Sequence, residues 1–182
     1  KSKKDIERNN KLLPGILKTC SLGYDGKGQY IINNISDIKN EWCFTDEYIL
    51  EKFIKLKQEI SVIITRFKNG KCTTYEPIEN IHENQILKNS KIPANISQKN
   101  FRESQEKAKI IAEKLDYIGT MCVEYFIDQK DNLLVNEIAP RVHNSGHLTI
   151  NAFNISQFEN HIRAICDLEI LELNKINNAE MT

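Results

Sequence analysis

The sequence predicts an α+β fold of two lobes built on mainly antiparallel sheets, and three observations predict it. Short runs of alternating apolar residues outnumber helical patterns along the chain. Several of those runs face each other across tight turns, above all at "NG" (69–70), the strongest short hairpin signal. Helical spacing is confined to a few segments and does not alternate regularly with strands, as a doubly wound parallel sheet requires.

The elements follow in order. "KSKKDIERNNKLLPGILK" opens the chain as a polar helix running directly into a strand, and its first residue is Lys. No domain-starting element precedes it, so the chain is expected to be a piece of a longer protein. "LPGILKT" (13–19) and "GQYIIN" (28–33) read as strands of one hairpin. "SDIKNEWCF" (36–44) reads as a short helix capped by Ser36. "EYILEKFI" (47–54) and "EISVIITRFK" (59–68) are strands, and "CTTYEPI" should return antiparallel after the "NG" turn. Phe101, Ala108, Ile111, Ala112 and Leu115 fall at helical spacing over 101–115. "GTMCVEYFID" (119–128) and "NLLVNEIA" (132–139) are strands joined by a polar turn, and "SQFENHIRAICDL" (156–168) is a final helix. The lobe boundary is expected near residues 70–80, giving a small lobe over 1–75 and a larger one over 76–182.

Composition narrows the function. The 182 residues carry 25 Lys+Arg against 25 Asp+Glu, a balance that gives no electrostatic attraction to nucleic acid or to an anionic membrane. No apolar run approaches the ~18 residues of a membrane span, and no signal peptide is visible, so the chain reads as soluble. Cys20, Cys43, Cys72, Cys122 and Cys166 are odd in number and form no CxxC pair. They read as reduced thiols of a cytoplasmic protein.

Three of the seven glycines fall within "SLGYDGKGQY" (21–30), at the tip of the first hairpin. Walker A and GxGxxG spacings are both missing. Missing Cβ atoms would let backbone N–H groups close over an anion, with Lys27 inside the loop and Lys18 before it adding positive charge. A loose surface turn is the competing reading.

"MCVEYFIDQKDNLLVNEIAPR" (121–141) carries the second signal. A four-residue loop at 129–132 pairs Asp128 with Leu133 and sets Glu124 opposite Glu137. Directly opposite residues share a face, with Cβ atoms about 4.5–5.5 Å apart. Two carboxylates held so repel each other unless a cation lies between them, and oxygen ligands of this kind hold Mg²⁺. A solvated face is the alternative, opposed by the apolar Leu133, Val135 and Ala139 expected beside Glu137.

Flap, lysines and paired carboxylates together resemble the ATP-grasp superfamily, in which two α+β lobes enclose a nucleotide cleft. At "NEIAPRVHNSGH" (136–147), taken with "GYDGKGQ" (23–29), the chain resembles the 5-(carboxyamino)imidazole ribonucleotide synthase family, carboxylating ligases of bacterial and fungal purine synthesis. The likeness extends through "SQFENHIRAICDL". Formate-dependent glycinamide ribonucleotide transformylases carry Asp-Thr-Gly where this chain has Asn-Ser-Gly, and biotin carboxylases lack the segment.

The resemblance implies roles. Lys18 and the flap Gly23, Tyr24, Asp25, Gly26, Lys27, Gly28 and Gln29 would meet the phosphates of ATP. Glu51, Lys52, Phe53 and Ile54 would meet the adenine, Glu59 the ribose, and His82 another part of the nucleotide. Asn136 and Glu137 would lie at the phosphate and metal end, with Glu124 the second ligand of Mg²⁺ or Mn²⁺. Tyr24, Asp25, Lys27, Arg141, His143, Asn144 and Ser145 would face the aminoimidazole ribonucleotide, with Arg141, His143 and Lys27 in the reaction itself. His147 and His161 are expected to be ordinary, the latter exposed on the last helix.

Bicarbonate would attack the γ-phosphate of ATP to give carboxyphosphate, which carboxylates the ribonucleotide amine directly or through released CO₂. A homodimer at full length is implied as well. Cys20 and Ser21 stand where the family often has Arg-Arg, and Leu148 stands where it usually has an aromatic. An N-terminal Rossmann-like domain and a basic C-terminal segment of the family are expected to lie outside this piece. Another ATP-grasp carboxylase or ligase, or a non-catalytic nucleotide-binding module, are the rival readings.

Overall fold

In the computed structural model of the chain, the described residues are 3–21, 28–38, 47–83 and 86–182. Two compact units divide between Lys55 and Leu56, earlier than the expected boundary at 75/76. The reason is that β4 (Leu56–Arg66), expected to close the first lobe, is the central strand of the second sheet.

In the first unit, α1 (Lys3–Arg8) leads into β1 (Gly15–Thr19), which lies between β2 (Gln29–Ile32) and β3 (Tyr48–Lys52). Both pairings are antiparallel, with Lys18 opposite Gln29 on one side and Ile49 on the other. The expected hairpin is therefore present, and 22–27 at its tip lie outside the described residues. Ile6, Leu17, Ile32 and Ile38 form the core of this unit. The helix expected over 36–44 is, where described, a single 3-10 turn, Ile35–Asp37. Asn34 precedes it instead of Ser36, and Asp37 Oδ2 accepts from the backbone N–H groups of Asn33 and Asn34 at 2.8 and 3.0 Å.

The second unit is a seven-stranded antiparallel sheet. Its other strands are β5 (Cys72–Thr74), β6 (Ile78–Glu83), β7 (Ile86–Ile92), β8 (Gly119–Asp128), β9 (Leu133–Ala139) and β10 (Ala179–Met181). They run β10-β7-β6-β4-β8-β9, and β5 returns on β4 through the "NG" turn as expected. The sequence reading did not find β6 and β7.

Helix α2 (Gln98–Lys114) is capped by Ser97, whose Oγ accepts from the Asn100 N–H. It buries Asn100, Ser104, Ala108 and Ala112, mostly small side chains at a spacing of four that let it lie close on the sheet. Leu115, expected on its apolar face, falls past its end and is exposed. One core lies under α2, with Ile60, Val62, Ile64, Val123, Tyr125, Ile127 and Leu133. The opposite face packs Ile63, Tyr75, Cys122, Ala139, Leu148 and Phe153. After a 3-10 turn at Asn144–Leu148 come α3 (Thr149–Ala152) and α4 (Gln157–Ile165), the latter capped by Ser156. Among the described residues no helix is long and apolar enough to cross a membrane.

Candidate active site

The site of the second unit grows from four neighbouring strands. Glu59 on β4 lies opposite Asn80 on β6, and His82 follows two residues later on the same face. His82 Nδ1 approaches Glu59 Oε2 to 2.8 Å, at ion-pair distance but without the alignment of a hydrogen bond. The Glu59 carboxylate raises the His82 pKa against the opposing effect of burial, and the charges of Glu124 and Glu137 add to the rise. Together with Leu56, Lys57, Gln58, Glu79 and Ile81, these residues line a shallow depression of about 230 Å³. A larger one, about 490 Å³ between His147, Asn151 and Ala179–Thr182, shares none of its residues with this site.

Glu124 and Glu137 do face each other across β8 and β9. They meet through a β-bulge, not through the uniform register that predicted them. Ile127 pairs with Leu133, Phe126 with Leu134 and Tyr125 with Val135, one residue out of the expected alignment. The register shifts between Glu124 and Tyr125, leaving Asn136 as the extra residue and returning Glu137 to Glu124.

The bulge also changes the faces. Leu133 joins the core under α2, whereas Ala139 joins the opposite core. Glu137 therefore does not share a face with Leu133 and Val135, because the extra residue inverts the alternation between them. Asn136 is half-buried and Glu137 exposed.

His143 completes the group. Its Nε2 lies 2.8 Å from Glu124 Oε1, with both side chains largely buried. Burial alone would raise the Glu124 carboxyl, but the hydrogen bond from His143 and the charges of His82 and Arg141 hold it below its ordinary value. Cys122 Sγ, Glu124 and His143 each place a ligand atom within 4.8 Å of the others. Burial, then the Glu124 charge, pushes the Cys122 thiol well up, so the sulfur keeps its proton. With the His143 imidazole engaged by Glu124, the facing carboxylates of Glu124 and Glu137 are the hard oxygen donors, and these fit Mg²⁺ or Mn²⁺.

The loop carrying His143 is clamped by Gln157, a fully buried residue of α4. Gln157 Nε2 donates to the His143 carbonyl at 2.7 Å, and the His143 N–H donates to Gln157 Oε1 at 3.0 Å. Gly146 is required there, since a Cβ would collide with the Gln157 amide. Ser145, expected to face substrate, is fully buried, and its Oγ lies 2.8 Å from Ser61 Oγ and 2.9 Å from His143 Nδ1. Arg141 and Asn144 are exposed, and Arg141 Nη1 donates to the Val142 carbonyl. His161 is neither exposed nor idle: its Nδ1 accepts from the Thr120 N–H at 3.0 Å.

Within the first unit, Lys18 makes a 2.7 Å ion pair with Glu51, across β1 and β3. Lys52 and Phe53 are exposed, and Ile54 is half-buried. Gln29 is exposed at the start of β2, and Gly28 has a φ of +78°, a conformation suited to glycine. Gly23, Tyr24, Asp25, Gly26 and Lys27 lie outside the described residues. Cys20 and Ser21 are exposed, and Leu148 sits in the core.

Sequence reasoning missed Ser61, Asn80 and Gln157. Ser61 and Asn80 are polar residues at inward-facing positions, a signal legible once β4 and β6 are recognised as strands. Gln157 gave no signal, because a Gln at the start of a helix is ordinary.

Fold and carboxylate pair define a class: the chain belongs to the ATP-grasp family, whose domain matches residues 2–158. More particularly, it is similar to the N5-carboxyaminoimidazole ribonucleotide synthase of Bacillus subtilis (strain 168). The two are 42% identical over 160 residues, covering 87% of this chain and 42% of that protein. The structure is similar to that of N5-carboxyaminoimidazole synthetase from Staphylococcus aureus complexed with ADP. There the TM-score is 0.91 at 39% identity, over 99% of this chain and 49% of that one. The enzyme from Aspergillus clavatus in complex with ADP and 5-aminoimidazole ribonucleotide has a TM-score of 0.80 at 31% identity, over 93% and 45%. The chain thus spans about half or less of the length of these relatives.

Proposed function

We propose that the protein carrying this chain is an ATP-dependent carbon–nitrogen ligase that carboxylates 5-aminoimidazole ribonucleotide with bicarbonate, releasing ADP and phosphate. The observation that carries this reading is the Glu124–Glu137 pair, with His143 held on Glu124.

Bicarbonate attacks the γ-phosphorus of ATP, its bond to the β–γ bridging oxygen breaks, and carboxyphosphate and ADP result. The ribonucleotide amine then attacks the carboxyl carbon, the bond from that carbon to the phosphate oxygen breaks, and phosphate leaves as the nitrogen gives up a proton. Glu124 and Glu137 would hold Mg²⁺ or Mn²⁺, which when bound offsets the charge of the transferring phosphoryl group. Lys18, Gly28, Gln29 and Asn136 contact the phosphates, and the flap residues Gly23, Tyr24, Asp25, Gly26 and Lys27 close over them. Glu51, Lys52, Phe53 and Ile54 receive the adenine, Glu59 receives the ribose hydroxyls, and His82 orients Glu59. In this reading Lys18 leaves Glu51 for phosphate when nucleotide arrives. Arg141 supplies a bidentate donor to bicarbonate or carboxyphosphate, while His143 and Asn144 face the amine together with Tyr24, Asp25 and Lys27. We assign the protein to the cytoplasm, as a homodimer at full length acting on small molecules and not on nucleic acid or membrane.

The test is ADP release by the full-length protein with and without bicarbonate and 5-aminoimidazole ribonucleotide. Release that needs both supports the assignment, and release indifferent to the ribonucleotide points to another ATP-grasp ligase. Glu124→Gln and Glu137→Gln should each remove several kcal/mol of charge stabilisation, at least ~10²-fold in rate. Near-normal turnover in both variants would remove the metal assignment.

A further inference from the structure

We infer that Ser145, Ser61 and Asn80 are positioning residues: a buried one-way hydrogen-bond chain that holds His143 with its proton on Nε2, donating to Glu124. The inference deepens the proposed function, since it concerns the same carboxylate.

The direction of the chain follows from a group that cannot turn round. The Ser145 backbone N–H points at His143 Nδ1 at 3.3 Å, and a backbone N–H only donates. Nδ1 is therefore the acceptor nitrogen of a neutral ring, and the proton sits on Nε2. The 2.8 Å contact with Glu124 Oε1 is then an N–H donating to a carboxylate.

Every bond behind the ring follows. Ser145 Oγ, 2.9 Å from Nδ1, donates its hydrogen there, so it receives one from Ser61 Oγ at 2.8 Å. Ser61, having donated, accepts from Asn80 Nδ2 at 2.9 Å. The amide oxygen of Asn80 in turn accepts from Ser90 Oγ at 2.9 Å. The donors run from β7 through β6 and β4 to the carboxylate on β8, which are adjacent strands in that order. Ser61 is the direct cross-strand partner of Glu124.

Ser61, Ser90 and Ser145 are fully buried, and Asn80 is 5% exposed. Polar groups so placed are costly unless each is satisfied, and here the relay satisfies each of these side chains in one sense only. Two consequences follow at the site. Glu124 has Oε1 occupied by His143, which leaves Oε2 for a cation. The His143 nitrogen nearest the carboxylate carries a proton and lacks a free lone pair, so Cys122, Glu124 and His143 do not form a thiolate–imidazole metal site despite their proximity.

Nitrogen NMR of the full-length protein, labelled at histidine and kept at a pH where the ring is neutral, tests the assignment. His143→Gln identifies the His143 signals. The expected result is an unprotonated Nδ1 and a protonated Nε2. Mn²⁺ affinity, measured without ribonucleotide or turnover, supplies the second readout. Ser145→Ala should mix the two tautomers and weaken Mn²⁺ about 10–100-fold, the usual loss when a ligand's supporting partner is removed. Ser61→Ala should weaken it too, while Ser61→Thr, which keeps the hydroxyl, should restore it. A protonated Nδ1 in the wild type overturns the inference, and that measurement stands even if a variant fails to fold. Wild-type Mn²⁺ affinity in Ser145→Ala, or no rescue by Thr over Ala at position 61, overturns it as well. A protein that shows this tautomer and Mn²⁺ behaviour yet makes no carboxylated ribonucleotide would refute the proposed reaction alone.

Discussion

Glu124 and His82 illustrate how neighbouring charges set the state of a group as much as burial does. Burial alone would raise the Glu124 carboxyl, yet the hydrogen bond from His143 and the charges of His82 and Arg141 together keep it below its ordinary value. Its contribution to stability is present above the unfolded value of 4.5 and is lost as the pH falls through the folded one. His82 has the opposite sign. Its pKa is raised from 6.5, first by Glu59, so its contribution is full below 6.5 and is lost as the pH rises through the folded value. The melting temperature of the wild type should therefore fall more steeply above pH 6.5 than that of His82→Gln. Parallel profiles in the two proteins would show that the Glu59–His82 pair contributes nothing to stability.

At the scale of elements, two devices aim the candidate site. One is the bulge at Asn136, which sends Leu133 to one core and Ala139 to the other while keeping Glu137 opposite Glu124. The other is the clamp of Gln157 on the 143–148 turn. Gly146→Ala drives a methyl group into the Gln157 amide, whose two hydrogen bonds to His143 leave it no slack. Overpacking of this kind costs about 1–3 kcal/mol, and denaturant unfolding of the variant measures it; unchanged stability would mean that the clamp yields. The glycine-rich tip of the β1–β2 hairpin gives a second prediction at this scale. Amide exchange over 23–28 should slow when Mg²⁺–ATP is added, as expected of a flap that closes over phosphates. Equal exchange with and without nucleotide would exclude that role.

At the scale of the whole molecule, the two units have separate cores. Ile6, Leu17, Ile32 and Ile38 make one, and none of them belongs to the two clusters that flank the seven-stranded sheet. Leu17 is 2% exposed, and Leu17→Ala should cost about 2–5 kcal/mol. Loss of amide protection should be confined to β1, β2 and β3, with β4 and β8 unchanged. Protection lost equally in both units would show that they unfold together.

Local pattern determined much of this. Alternation, the "NG" turn and the spacing over 101–115 define the β1–β2 hairpin, β4, β5, α2, β8 and β9 from the sequence, because each is a short-range choice of period and turn. The Asn-Ser-Gly segment and the glycine cluster carry the resemblance to the family as well. Tertiary structure alone decided the rest. A four-residue loop and a uniform ladder predict Glu124 opposite Glu137, yet the pairing exists only because a bulge shifts the register back, and a bulge has no local sign in "LLVNEIA". The same holds for the place of β4 in the second sheet, for the inward turn of Ser145, and for the meeting of Ser61, Asn80 and Ser90 from three strands. Each depends on partners far away in the chain, and a period read from one segment contains no information about which strand lies beside it.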